Sequence, residues 1–73
     1  MSDRGILDTL PAVYAVEAVR QLPHPAADGS ERATAVLDVP GVGQVRFTFE
    51  RRRQMMPKPG PWFWGVCYAE MPR

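Results

Sequence analysis

His24 and Cys67 are the chain's one histidine and one cysteine, so a single Cys–His pair is the most that nucleophilic catalysis could draw on. His24 lies between Pro23 and Pro25, a setting that reads as a surface loop. Cys67 lies among Val66, Tyr68 and Ala69, where a small buried thiol is the ordinary expectation. The carboxylates Glu17, Asp38, Glu50 and Glu70 stand singly, without the local pairing from which acid/base work could be read. One His, one Cys and scattered acids do not make the clustered spacings of a metal site. Gly41-Val42-Gly43 lacks the third glycine and the Lys-Ser/Thr pair of a phosphate loop. Pro57-Lys58-Pro59-Gly60-Pro61 is not a PxxP ligand, because glycine occupies its fourth position. The expectation is a non-enzyme with no cofactor, no metal and no catalytic residue.

What remains is the segment Arg51 to Trp64, RRRQMMPKPGPWFW. It holds four cations, two methionines and three consecutive aromatics in 14 residues. Arg, Trp and Met are enriched in protein interfaces, where they bury large areas or make forked hydrogen bonds. The predicted partner-binding set is Arg46, Arg51, Arg52, Arg53, Met55, Met56, Lys58, Trp62 and Trp64. The alternative is a small β-sheet protein that binds single-stranded nucleic acid. Trp62 and Trp64 would stack bases, and Arg46, Arg51, Arg52, Arg53 and Lys58 would meet phosphates. The plainest reading makes the aromatics core and the arginines a solvated strand end.

These residues need a frame to hold them. From Gln44 to Glu50, Val45, Phe47 and Phe49 alternate with polar residues, the period of a half-buried strand. Ala33 to Val39 alternates likewise, and Pro40-Gly41-Val42-Gly43 between them supplies a hairpin turn. Trp62 to Met71 reads as a third strand with no polar face before Glu70, which requires cover on both sides. Trp62 and Phe63, as neighbours on a strand, point to opposite faces, so one aromatic face is expected to lack cover.

Ala12 to Leu22 fits two patterns. Tyr14, Val16 and Ala18 alternate as a strand would, and three valines and a tyrosine favour that reading. As a helix, Pro11 would open it and Pro23 would end it. Ile6, Leu7 and Leu10 have the spacing of one short helix, expected on the sheet's second face. The fold class is therefore mainly β, a small antiparallel sheet of three to four strands, or α+β with one short N-terminal helix. One domain is expected over 1–73, with an N-terminal segment at 1–11 and antiparallel sheet at 12–71.

Seventy-three residues bury only roughly 60% of their extended surface, which leaves such a domain marginal without a partner. The single cysteine denies it an internal disulfide. A formal net charge of +1 selects neither nucleic acid nor acidic lipid by its global field. No stretch approaches the roughly 20 apolar residues of a membrane span, and residues 1–11 hold no signal-like apolar run. A cytoplasmic protein is expected. All but one of the cations are arginine, with abundant Pro and Ala, as a high-GC bacterial or phage genome would give. In size and composition the chain resembles the small inhibitors that phages deploy against host defences. The leading expectation is a non-catalytic protein-binding module, an accessory factor or inhibitor, with a homodimer as its simplest form.

Overall fold

The computed structural model describes residues 3–72. Its elements are a 3-10 turn (Leu7–Thr9), helix α1 (Ala12–Val19), and strands β1 (Arg32–Val39), β2 (Gly43–Arg53) and β3 (Trp62–Glu70). The three strands form one antiparallel sheet in the order β1-β2-β3. The fold is mainly β with one short helix.

The β1–β2 hairpin forms where the alternation places it. Val39 pairs with Gly43, and the amide of Val42 donates to the carbonyl of Val39 at 3.0 Å. Pro40 and Gly41 are the central residues, with Gly41 at φ +80°, the pattern of a type II turn that needs glycine in its second central position. Val45, Phe47 and Phe49 then project to one side and are almost wholly buried, with Ala35 and Val39 of β1 beside them. Helix α1 and the 3-10 turn cover this side, contributing Ala18 and Leu7 to the same core.

Residues 12–19 are helix, not strand. The strand reading weighted the β-propensity of three valines, but Ala12, Ala15 and Ala18 favour helix, and tertiary packing overrides the weaker preference. Ala18 is fully buried, and Tyr14, Ala15, Val19 and Leu22 pack against the core around it. Pro11 caps the helix from just outside it, at φ −59° and ψ 141°. The sheet accordingly begins at residue 32, and the expected span of 12–71 is shortened by the helix and the loop after it.

The short N-terminal helix is present as the 3-10 turn, but on the other side from the one expected. Gly5 bridges Ala69 in parallel, the amide of Ile6 donates to the Ala69 carbonyl (2.9 Å), and the Ala69 amide donates to Arg4 (3.2 Å). That pairing delivers Leu7 into the core beside Ala18, so both helical pieces share one layer. Among the described residues, no helix or further strand covers the second face of the sheet. Gly5, at φ +63°, permits the approach: a Cβ there would drive into the Ala69 carbonyl oxygen.

The alternation of β3 also slips once. Phe49 pairs with Val66, whereas Thr48 pairs with Tyr68, leaving Cys67 as the extra residue of a bulge. Beyond it Ala69 faces Phe47 in the core with no exposure, and Tyr68 joins Thr48 on the open face. A strict period of two would have put Tyr68 with Val66. The core opposite Phe47 instead takes the small Ala69, against which Gly5 sits.

A candidate interaction site on the β2–β3 arm

β2 runs three residues past the end of β1. Arg32 pairs with Glu50, while Arg51, Arg52 and Arg53 pair only with Trp64, Phe63 and Trp62 of β3. The last link to the β1 side is the Arg51 amide, which donates to the Glu31 carbonyl at 2.8 Å. Beyond it the two strands form an arm closed by residues 54–61, and the molecule measures 40 Å along its longest axis against 26 and 19 Å. The arm's tip is tied to itself. The Gly60 amide donates to the Gln54 carbonyl (2.8 Å), Gln54 Nε2 to Met56 (2.7 Å), and Arg53 Nε to Gly60 (2.8 Å). Pro57, Pro59 and Pro61 fix φ at alternate positions, so little backbone freedom is left. This ordered tip presents Met55 and Met56 at 58% and 78% exposure, with Lys58 also exposed.

The arginine run is engaged on both faces of the arm. The guanidinium groups of Arg51 and Arg53 lie over the Trp62 ring, at 4.7 and 5.4 Å from its centroid. Arg51 Nη1 also donates to the carbonyls of Ala26, Ala27 and Gly29, at 2.7, 2.8 and 2.9 Å. One side chain thus fastens the loop after α1 to the root of the arm. Arg52 points to the opposite face, 3.6 Å from Glu50, and lies across Gly65 so closely that a Cβ there would sit 2.7 Å from its Cδ. Phe63 projects to that same face and is 46% exposed.

Seven of the nine residues singled out from sequence share the arm: Arg51, Arg52, Arg53, Met55, Met56, Lys58 and Trp62. The other two do not. Arg46 lies on the open face further down β2, opposite Glu70, where its guanidinium hydrogen-bonds and ion-pairs with that carboxylate. That hydrogen bond and the positive charge of Arg46, with a smaller contribution from a hydrogen bond of Tyr68, outweigh desolvation and hold the Glu70 carboxyl below its ordinary value. Trp64 faces the core side, half-buried, and its Nε1 donates to the Pro23 carbonyl at 2.8 Å. With Ala15, Val16, Val19, Phe49 and Val66 it lines an apolar groove of about 140 Å³ between α1 and β3.

Exposed apolar residues outside the sequence-derived set are Phe63, Val36, Val42 and Met71, and Val13 and Val16 of α1. Phe63 was legible from strand parity alone. The two valines were not, because their exposure depends on α1 being a helix that covers β1 and β2 and stops short of β3.

His24 is exposed in the loop after α1, and Cys67 is half-buried, its thiol donating to the Thr48 carbonyl at 3.4 Å. Glu50 and Glu70 do line one cavity of about 440 Å³ on the open face, with Asp3, Arg32, Thr48, Cys67 and Tyr68. Arg52 and Arg46 respectively lie against these two carboxylates. Among the described residues no group of three His, Cys, Asp or Glu side chains could hold a metal ion, and no helix is long and apolar enough to cross a membrane. Comparison of the chain with protein-family models, with curated proteins and with solved structures finds no match in any of the three.

Proposed function

We propose that this chain is a small non-catalytic protein-binding module that engages its partner through the β2–β3 arm. One observation carries the reading. The exposed methionines sit at the end of a stiff, internally hydrogen-bonded projection that the core does not require. An ordered apolar tip loses little conformational entropy on binding, the condition under which a small surface achieves useful affinity. Methionine's unbranched, polarizable side chain fills irregular clefts, and Arg52, Arg53 and Lys58 supply a polar rim around it. An accessory factor or inhibitor of cytoplasmic, phage or mobile-element origin would act in this way, by occupying a cleft.

The single-strand nucleic-acid reading is less well supported. Trp62 already has two guanidinium groups over its ring, and Trp64 packs in the groove under α1, so both rings are already engaged within the chain. The two readings separate by salt and by substitution. A nucleic-acid complex using four or five phosphates should weaken with a log–log salt slope of about −3. A protein complex anchored on the arm should depend weakly on salt and lose about 2 kcal/mol or more when Met55 and Met56 are replaced by Asp. Oligonucleotide binding that survives the Met→Asp changes and disappears with salt would replace this function with the other.

A further inference from the structure

The two edges of the sheet are treated differently. On β1, Gln21 Nε2 donates to the Val36 carbonyl at 2.8 Å, and the strand carries Arg32 and Asp38, both of which discourage further pairing. On β3, the N–H and C=O of Ala69 are taken by Arg4 and Ile6, and Pro61 has no N–H to offer. The stretch between, Trp62 to Tyr68, contains no charged residue. Among the described residues, no backbone group outside the sheet hydrogen-bonds to it. Uncharged and interrupted only by the bulge at Cys67, this edge is a template for another strand.

We propose that this edge pairs with the same edge of a second copy, antiparallel about a two-fold axis at Gly65, to make a continuous six-stranded sheet. The inference stands on the β3 edge, not on the arm's tip. Its register follows from the two stops, since Gly65 is midway between Pro61 and Ala69. Antiparallel pairing about that point keeps both helices on one side of the joined sheet. Trp64 then meets Val66 of the second copy on the helix side, and Phe63 meets its Cys67 on the open face. Cross-strand pairs of this aromatic–aliphatic kind stabilise sheets. A second copy is the occupant that fits this edge, because the two stops lie symmetrically about Gly65 and each copy offers the other the same uncapped stretch of backbone between them.

The test uses the full chain alone, with no added partner. Sedimentation should give twice the 8.2 kDa chain mass, falling to the monomer on dilution. A Phe63→Cys variant should form a covalent dimer through Cys67 of the second copy when diamide takes up the two electrons and two protons of each bridge. Cys67 need only release its weak contact with Thr48. Val36→Cys, on the other edge and similarly exposed at 42%, should remain uncrosslinked under the same treatment. If Phe63→Cys fails to fold, hydrogen exchange on the wild-type chain reads the same contact: amides of residues 63–67 should gain protection as concentration rises. A monomer at every concentration, or a dimer whose 63–67 amides gain no protection, overturns the proposal. Met55→Asp with Met56→Asp should leave the dimer intact, so loss of partner capture and loss of dimer remain separate results.

Discussion

β2 serves two regions that differ in what holds them. Its first half, through Phe49, lies under α1 and the 3-10 turn, with Val45, Phe47 and Phe49 sealed. Its second half, from Glu50 to Arg53, continues with the same side-chain phase but meets no core. There the inward positions are Arg51 and Arg53, whose partners are a tryptophan ring and backbone carbonyls. Burial of apolar area stabilises the first region, and directed polar contacts stabilise the second. Substitutions should therefore grade along the strand: in the first region they cost the most stability, at Arg51 and Arg53 less, and at the methionines of the tip only interaction.

The largest effect is expected at Phe47. Truncation to Ala leaves a cavity in the packed half and should lower the unfolding free energy in urea by about 3–5 kcal/mol. Next comes Gly5→Ala, which combines a positive φ with collision against the Ala69 carbonyl, and should cost about 2 kcal/mol or more. Hydrogen exchange should then show the Ala69 amide losing protection while the β1–β2 amides keep theirs.

A sharper comparison lies within the arm. Arg51→Ala removes three carbonyl contacts and a ring contact, and is expected to cost about 2 kcal/mol. Arg53→Ala removes one carbonyl contact and a longer ring contact, for about 1 kcal/mol or less. Equal losses at the two positions would mean that Arg51 does not fasten the loop after α1. The smallest effect concerns pH. Arg46 holds the Glu70 carboxyl below its ordinary value, so folding disfavours that proton. This stabilisation is complete above the ordinary glutamate pKa and is lost as pH falls through the lower folded value. An NMR titration should find the Glu70 carboxyl returned toward its ordinary value in Arg46→Ala.

The division between the two halves also explains what could be read from the residues alone. The β1–β2 hairpin was legible because its alternation and turn chemistry agree. The third strand was legible in extent but not in phase, because a single bulged residue at Cys67 reverses every side chain after it and leaves no mark in composition. Residues 12–19 carry a mixed signal of valines and alanines, and only the need to cover Phe47 and Phe49 settles them as helix. The arm's residues were legible as a cluster. Their use of one another was not: Arg51 reaches carbonyls more than twenty residues back, which no local spacing reports.

The most direct test of the arm's role is affinity capture from a lysate of the encoding organism. Wild type would be compared with the Met55→Asp/Met56→Asp double variant, after both are shown to unfold at the same denaturant concentration. The account expects one protein to be retained by wild type and absent with the variant. Recovery of the same proteins by both chains, or of nucleic acid alone, would contradict it.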